Sequence, residues 1–311
     1  MAKKVLILHN MANLDERPSG IFVYEQLDHL KEFGCSNTYS IHGIRRFKWS
    51  ILNYLSFRRL LKLVSDIGPD IVHVHFGLTL IPLLVVKVFT ARSTVIVTLH
   101  GSDLQGSFIV NCISNLLCLL ICDKIIVVSE KMCAHLWRCN REKVVVIPCA
   151  VDTAQGAVRN CDLRELTVLF PADPERQVKN FPGYLRIVKR LQREGVVIKT
   201  ILLTEFAKSE VSSVLKEVDL VILVSHSEGS PQIIKEAISI RKPVFALNVG
   251  DVANFLAGVS GCFVSESLDL IANKILDTTD YPMLRENECE DALRPFSKEV
   301  VTNKILQLYD T

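Results

Sequence analysis

Two kinds of segment alternate along the chain. Short apolar runs rich in β-branched residues are followed by longer segments whose apolar residues recur every three or four positions. The helical spacing is clearest in GIFVYEQLDHLKEFG (20–34), where Gly34 is the predicted helix end. The apolar runs of the first half are KVLILHN (4–10), NTYSIHGI (37–44), DIVHVHF (70–76), STVIVTLH (93–100), DKIIVVS (123–129) and KVVVIP (143–148). Strands without polar alternation, separated by helices, predict a parallel sheet covered on both faces.

The same alternation begins again near residue 166. The second set of predicted strands is TVLFPA (167–172), VVIKTILLT (196–204), DLVILVS (219–225), KPVFALN (242–248) and GCFV (261–264). We therefore predict an α/β protein with two doubly wound, Rossmann-like domains, residues 1–165 and 166–294, that face each other across a cleft. The aperiodic stretch 149–166 is the predicted linker. Residues 295–311 form a predicted closing helix that can pack back on the first domain.

Composition and charge add modest constraints. Of the 311 residues, 49% are hydrophobic and 23% are charged, so there is ample material for two cores. Residues 1–165 hold 19 basic and 14 acidic side chains, whereas residues 166–311 hold 17 basic and 20 acidic ones. A mildly basic first half suggests an anionic partner such as a lipid phosphate or a membrane surface, and it is too weak to indicate nucleic acid.

Cysteine usage and the apolar runs point to the cytoplasm. The ten cysteines form no Cys-x-x-Cys pair, and several lie within apolar runs. This is typical of buried free thiols in a reducing compartment, with a catalytic cysteine as the alternative. The amino-terminal apolar run is too short for a signal peptide. The longest apolar runs, 78–89 and 108–122, fall short of the roughly 20 residues of a spanning helix.

Candidate chemistry lies in the loops that follow strands, because ligands of open parallel sheets bind at the carboxyl ends of the strands. After DLVILVS comes SEGSPQIIKE, with Glu228 before the predicted helix and Glu236 inside it. Backbone amides at the helix start form an anion site suited to phosphates. Glu236 lies roughly 7–8 Å along the helix from Pro231, so the two carboxylates suit opposite ends of an elongated ligand. Capping by Glu228 and pairing of Glu236 with Lys235, Lys242 or solvent are the alternatives.

Three further loops contain candidate residues. Arg176 and Lys179 in LFPADPERQVKNF can hold a diphosphate, unless they are ordinary solvated loop charges. His100 follows a predicted strand, with Asp103 three residues later; a structural, hydrogen-bonded histidine is the alternative. Gly20 at the start of the first helix allows a ligand to approach the backbone closely.

Other motifs are missing or ambiguous. No G-x-G-x-x-G and no G-x-x-x-x-G-K-[ST] occurs, and there is no Asp-x-Asp pair to hold a divalent metal on a diphosphate. The segment IRRFKWSILNYLSFRRLLKLV (44–64) interleaves basic and aromatic residues. It is a candidate for contact with an anionic membrane, and the solvent face of an ordinary helix is the alternative.

Taken together, these stretches resemble a GT-B glycosyltransferase of family GT4, the large retaining family that uses nucleotide-sugar donors. SHSEGSPQIIKEAISIRKPVFALNVGDVANFL is similar to the donor-binding segment of the family, including its E-x7-E pair. The first-domain landmarks of the family resemble PDIVHVHFG, VIVTLHGSD, KIIVVSEKMCAHL and VVVIPCAVD, in that order, and PFSKEVVTNKILQLY resembles its closing helix. FPADPERQVKNF is similar to bacterial members that build surface polysaccharides such as O-antigen.

The resemblance implies a role for each candidate on the donor side. Glu236 would bind the ribose hydroxyls of the donor. Glu228, together with the backbone of the turn formed by Gly229, Ser230 and Pro231, would hold the transferred sugar and the phosphates. Lys179 matches the diphosphate lysine of the family. The usual arginine follows a glycine in that loop, and ADPER replaces this pattern here, so Arg176 would stand in for it.

On the first domain, the resemblance places Gly20 near the diphosphate and the acceptor, and His100 and Asp103 near the reacting sugar. It implies front-face displacement with retention, no cofactor and no metal. The implied acceptor is a glycan or an undecaprenyl-diphosphate-linked oligosaccharide on the inner face of the cytoplasmic membrane, with no nucleic acid partner. The alternatives are another GT-B enzyme, such as a nucleotide-sugar epimerase or a phosphorylase, and a non-catalytic GT-B subunit.

Overall fold

The protein contains two compact units. The structure, a computed structural model, describes residues 2–10, 21–43, 57–87, 92–151, 165–278 and 283–311. Residues 1–150 and 298–311 form one unit, here called the first domain, and residues 151–297 form the second domain. The domain boundaries thus fall about 15 residues before the predicted one at 165 and three residues after the one at 294. Most of the predicted linker lies outside the described residues.

A parallel sheet forms the centre of the first domain. Its strands in the described part of the chain are β1 (Lys4–His9), β2 (Thr38–Gly43), β3 (Ile71–His75), β4 (Thr94–Leu99), β5 (Lys124–Val127) and β6 (Val144–Val146). They are arranged in the order β2-β1-β3-β4-β5-β6, and every pairing is parallel. β3 and β4 are aligned so that His75 pairs with Thr98. The near-continuous apolar runs form strands here because both faces of the sheet are buried.

Helices cover both faces of this sheet. The described helices of the first domain are α1 (Ile21–Phe33), α2 (Phe57–Ile67), α3 (Leu80–Val86), α4 (Ser102–Gln105), α5 (Phe108–Ile121) and α12 (Lys298–Asp310). α2, α3 and α5 pack on one face, and α1 and α12 pack on the other. The closing helix α12 therefore belongs to the first domain, where Val301, Ile305 and Tyr309 are buried. Its Lys298 Nζ also lies 3.2 Å from Glu32 Oε2 of α1.

The second domain repeats this plan with a smaller sheet. Its described strands are β7 (Glu165–Phe170), β8 (Val197–Leu202), β9 (Leu220–Leu223), β10 (Val244–Leu247) and β11 (Phe263–Ser265), in the parallel order β11-β10-β9-β7-β8. Its described helices are α6 (Phe181–Arg193), α7 (Val211–Glu217), α8 (Gln232–Ser239), α9 (Val252–Leu256), α10 (Leu268–Asp277) and α11 (Glu286–Leu293). α6 and α10 cover one face, and α7, α8, α9 and α11 cover the other. The predicted α/β class with two doubly wound parallel sheets is confirmed.

The strand order marks the expected ligand positions. Successive strands are added toward one edge of the sheet and then toward the other, and this order switches between β1 and β3 in the first domain and between β7 and β9 in the second. Loops leaving the carboxyl ends of strands at such a switch point diverge and leave a crevice between them. The loops after β7 and β9 contain Lys179 and Glu228, so the topology places these residues at the crevice. None of the described helices is long and apolar enough to cross a membrane.

Candidate active site

Lys179 and Glu228 meet at the switch point of the second domain. Lys179 Nζ donates a hydrogen bond to Glu228 Oε1 at 2.6 Å, and the two side chains are only 15% and 12% exposed. The backbone joins the same two loops, because the amide of His226 donates to the carbonyl of Val178 at 2.8 Å. An ammonium and a carboxylate are therefore held together in a partly desolvated crevice, where their fields act strongly on a charged ligand.

Asn180 fixes the loop that contains Lys179. Its backbone is left-handed, with φ 55° and ψ 47°, a conformation that Asn tolerates better than most residues. Its Oδ1 accepts a hydrogen bond from the amide of Gly183 at 3.1 Å and so caps α6. Its Nδ2 donates to the carbonyl of Val224, at the end of β9, at 3.0 Å. One side chain thus ties the Lys179 loop to α6 and to the neighbouring strand.

The turn before α8 leaves the start of the helix without a side-chain cap. Pro231 occupies the N-cap position and makes no capping hydrogen bond. Ser230 donates from Oγ to Asp251 Oδ2 at 2.5 Å. Because no side chain caps the amino end of α8, the backbone amides and the helix dipole favour the binding of an anion at this position.

A buried lysine holds this turn from inside the domain. Lys235 of α8 is 0% exposed, and its Nζ donates to Ser230 Oγ and lies 3.3 Å from Asp251 Oδ2. The same ammonium sits 4.4 Å from the centre of the Phe296 ring. A buried charge persists only where such partners compensate for its lost hydration. Sequence reasoning missed Lys235, although it shares a buried helical stripe with Ile234 and Ile238.

Glu236 has a lysine partner of its own. Its Oε1 accepts a hydrogen bond from Lys208 Nζ, and the Glu236 side chain is 19% exposed. Lys208 lies between β8 and α7, in a loop that the sequence did not single out. A lysine does pair with Glu236, but it is Lys208, which is distant in sequence, whereas the neighbouring Lys235 contacts Ser230 and Asp251 instead.

Two predicted residues contribute less to the observed geometry. The Arg176 side chain is exposed and makes no hydrogen bond or ion pair with any residue that the structure describes, which leaves its guanidinium available to a ligand. Gly20 lies outside the described residues.

Gly250 packs directly under the turn that contains Glu228. Its φ is +55°, which favours glycine. A Cβ at this position would lie 2.4 Å from the carbonyl oxygen of Gly229 and 3.0 Å from that of Glu228. The close approach of the two loops therefore requires glycine here.

The carboxyl edge of the first sheet holds a cluster of histidines. His75 Nδ1 and His100 Nε2 are 3.0 Å apart, and their rings stack with centroids separated by 5.3 Å. Beneath them, His73 is fully buried, with hydrogen bonds to Tyr309 Oη at 2.6 Å and to Thr98 Oγ1 at 2.8 Å. Burial lowers the pKa of His73 and of His100 to about 3, so both rings are neutral near pH 7.

Asp103 binds backbone amides instead of projecting outward. It is 4% exposed, and its two oxygens accept hydrogen bonds from the amides of His100, at 2.8 Å, and Gly77, at 3.2 Å. Burial raises its pKa to about 6, and the amide hydrogen bonds oppose that shift. Its carboxylate thus links the loop after β3 to the loop after β4.

Phe76, in the loop after β3, has a strained backbone. Its φ of 72° and ψ of 134° are unusual for a residue with a side chain. Its ring centre lies 4.9 Å from that of His100, and the ring of Phe22 lies 4.5 Å from the same imidazole. Strain of this kind concentrates at functional sites, which supports the choice of the His100 loop. Among the described residues, no three His, Cys, Asp or Glu side chains are grouped to hold a metal ion.

Residues 23–155 match the family model described as Glycosyltransferase Family 4. This span covers most of the first domain, including the histidine cluster. The chain is a glycosyltransferase whose first domain is similar to family 4. No curated protein sequence matches this glycosyltransferase significantly.

Solved structures extend the similarity to the whole glycosyltransferase. HepE of Anabaena, in complex with UDP-glucose, is 14% identical with a TM-score of 0.72 over 99% of both chains. Sucrose-phosphate synthase of Thermosynechococcus elongatus is 14% identical with a TM-score of 0.74 over 99% of this chain and 98% of that one. The lipopolysaccharide outer core galactosyltransferase WaaB, in its apo form, is 12% identical with a TM-score of 0.70 over 97% and 98%. At these identities the likeness shows the fold, which is GT-B as the resemblance implied.

Proposed function

We propose that the second domain binds a nucleoside-diphosphate sugar and that the enzyme transfers the sugar to a glycan acceptor with retention of anomeric configuration. The observation that carries this proposal is the Lys179–Glu228 ion pair at the switch point, next to the amino end of α8. A cation, a helix amino end and a carboxylate together suit a diphosphate with a sugar attached. HepE, which has the same fold, was solved with UDP and with UDP-glucose, so UDP is the first nucleotide to test.

Each candidate residue of the second domain has a role in the proposed donor site. Lys179 and the exposed Arg176 bind the diphosphate, assisted by the turn 229–231. Glu228 contacts the transferred sugar once the diphosphate attracts its lysine partner. Glu236 accepts hydrogen bonds from the ribose hydroxyls, in exchange for part of its contact with Lys208.

The proposed chemistry is a front-face displacement. The bond between the anomeric carbon and the diphosphate oxygen breaks, and the acceptor oxygen bonds to the same face of that carbon. The proton of the acceptor hydroxyl passes to the departing diphosphate, whose charge Lys179, Arg176 and the amino end of α8 stabilise. Since we propose no metal, transfer should persist in excess EDTA.

We propose different parts for two first-domain residues. His100, neutral at pH 7, exchanges a hydrogen bond with the transferred sugar. Asp103 is a positioning residue, because its oxygens are occupied by the amides of His100 and Gly77. Gly20 keeps its proposed place near the diphosphate.

The proposed acceptor is an undecaprenyl-diphosphate-linked glycan at the inner face of the cytoplasmic membrane, in the synthesis of a surface polysaccharide such as O-antigen. WaaB, which has the same fold, is a lipopolysaccharide galactosyltransferase, and this supports the surface-polysaccharide setting. The basic and aromatic segment 44–64 is the proposed membrane contact, and only its residues 57–64 lie within the described part of the chain.

A panel of UDP- and GDP-sugars tests the donor proposal. We expect one nucleotide to raise the melting temperature of the enzyme. The corresponding nucleotide sugar should be hydrolysed slowly, which is measured as release of the nucleotide. Proton NMR of the anomeric signal then separates retention from inversion, and an epimer formed without nucleotide release would indicate an epimerase. Nucleotide binding without any turnover would indicate a non-catalytic subunit, and no thermal shift with any nucleotide would refute the donor site.

A further inference from the structure

Among the residues that the structure describes, helices α3 and α5 leave an apolar surface uncovered on the outer side of the first domain. We call it the apolar face, and its exposed members are Leu84, Val85, Phe108, Ile109, Ile113, Leu116, Leu119 and Leu120. The side chains of Phe108 and Ile109 are 82% and 68% exposed, whereas most large apolar side chains of this domain are buried. Contiguous exposed apolar surface of this kind marks an interaction site in a natural protein.

The sequence of α5 explains why the surface exists. Its 14 residues include no charged side chain. Leu117, Cys118 and Ile121 are buried against the sheet, whereas the opposite stripe, Ile113 and Leu116 among it, is equally apolar and faces outward. An apolar stripe of a helix is normally covered, so the outer stripe of α5 lacks a partner within the described chain.

The apolar face is concentrated in one place. Outside it, the large apolar side chains exposed among the described residues are Trp137, Leu185, Val197 and Leu270. Trp137 borders the apolar face, since its amide donates to Asn115 Oδ1 of α5 at 2.7 Å. A tryptophan at the rim is suited to a boundary between water and an apolar phase.

Cations flank the apolar face on both sides. α2 packs beside α3 and exposes Arg58, Arg59 and Lys62. On the far side of α5, the turn Arg138–Lys143 packs on that helix and contributes Arg138, Arg141 and Lys143, the last of which binds the carbonyls of Leu119 and Cys122. The exposed acids on the same two flanking elements are Asp66 and Glu142. An apolar strip between two basic rims has the charge and shape of a surface for anionic lipid.

We propose that the apolar face rests on an anionic lipid bilayer, with α5 lying parallel to the membrane plane. At 1.5 Å per residue α5 is about 21 Å long, too short to span but suited to lie at the interface. The apolar side chains enter the acyl boundary, and the flanking cations meet lipid phosphates. The basic rim on α2 belongs to the segment 44–64 already proposed as a membrane contact, so this inference extends that part of the proposed function; it does not depend on the identity of the donor.

The charge pattern favours lipid over a second copy of the chain. Both rims are basic, so two copies joined through the apolar face would place cations opposite cations, which disfavours such a contact. A bilayer containing anionic lipid complements both rims at once.

Vesicle flotation of the full chain tests the proposal. One variant carries Ile109→Ser, Ile113→Ser and Leu116→Ser, and a matched control carries Leu185→Ser, Val197→Ser and Leu270→Ser on the second domain. We expect the parent to float with phosphatidylcholine–phosphatidylglycerol vesicles and much less with phosphatidylcholine alone. The apolar-face variant should lose at least about tenfold in lipid affinity, and the control should bind like the parent. Circular dichroism and thermal melting establish that each variant is folded.

A second variant, Arg58→Ser with Arg138→Ser, should reduce binding to the anionic vesicles and leave the weak binding to neutral ones unchanged. Failure of the parent to float, or equal losses in the apolar-face variant and its control, would overturn the proposal. Analytical ultracentrifugation adds a further discriminating outcome. A parent dimer that the apolar-face variant converts to monomer would assign the apolar face to a second copy and would also overturn it.

Discussion

At the residue scale, both carboxylates of the proposed donor site are paired with lysines. Glu228 is paired with Lys179 and Glu236 with Lys208. These pairs keep partly buried charges compensated. A donor that brings two phosphates and a ribose then exchanges one set of charge-assisted hydrogen bonds for another. The two pairs should respond differently to mutation, because they are expected to contact different parts of the donor.

Replacing Glu236 should mainly affect nucleotide binding. We expect Glu236→Gln to weaken UDP binding about tenfold or more, the loss expected for a charge-assisted hydrogen bond. Glu228→Gln should keep UDP affinity within about threefold and lower the transfer rate. Isothermal titration with UDP and a nucleotide-release assay separate the two effects. Unchanged affinity in Glu236→Gln would exclude the ribose role.

Replacing Lys235 tests whether the buried ammonium positions the 228–231 turn. Lys235→Met keeps the apolar stem and removes the charge that contacts Ser230 and Asp251. We expect kcat to fall more than tenfold with little change in the KM of the donor, because the turn would lose its register. The paired variant Lys235→Met with Asp251→Asn should recover thermal stability without recovering kcat. Recovery of both together would reduce Lys235 to a structural role.

The sequence predicted part of this site and missed the rest for a physical reason. Glu228, Glu236 and Lys179 lie in segments that follow strands, so strand position alone predicts that they lie near a ligand. Lys208 and Asp251 are partners whose closeness depends on how loops from different strands approach each other. Asp103 shows the same limit, since its sequence position does not reveal that its oxygens are taken by two backbone amides.

At the element scale, the approach of two loops in the second domain depends on one glycine. Gly250→Ala would need a positive φ and would place its Cβ within 2.4 Å of the Gly229 carbonyl oxygen. We expect the Glu228 turn to move, with a loss of roughly 1–3 kcal/mol in stability and a weaker thermal shift by UDP. Chemical denaturation and UDP titration measure the two effects. Gly195→Ala, at a positive φ with open space around the Cβ, is the matched control and should lose stability but not UDP binding.

The elements themselves were largely predictable, because strands and amphipathic helices leave strong periodic signals. The predicted strand 70–76 corresponds to β3, and the predicted helix 20–34 corresponds to α1. Helix α11 was missed, since ENECEDAL is mostly acidic and buries only Cys289 and Leu293. The exposed apolar side of α5 also could not be predicted, because an apolar helix has the same sequence pattern whether one side or both sides are covered.

At the scale of the whole molecule, the buried histidines make stability depend on pH. The folded pKa of His73, about 3, lies below the usual unfolded value near 6.5. Its contribution to stability is therefore present above pH 6.5 and is lost as the pH falls toward 3. Between pH 7 and pH 5 the loss is about 2 kcal/mol for this one side chain. Burial also lowers the pKa of His75 and His100, which adds to the loss.

Asp103 acts in the opposite direction and offsets part of this loss. Its folded pKa of about 6 is raised, so its contribution is present at low pH and is lost as the pH rises through 6. We expect a net fall in melting temperature from pH 7 to pH 5. His73→Gln should melt lower at pH 7 but show a shallower fall, whereas the exposed His135→Gln should keep the slope of the parent. Parallel slopes for His73→Gln and the parent would contradict the argument.

Helix α12 follows the second domain in sequence but packs on the first domain, and this affects the order of folding during synthesis. Val301, Ile305 and Tyr309 complete the core under one face of the first sheet, and Tyr309 holds His73. The ribosome makes these residues only after the whole second domain, a delay of about 7–30 s at ordinary elongation rates. The nascent first domain therefore cannot complete that face of its core until α12 has been synthesised, whereas the second domain can complete its fold earlier.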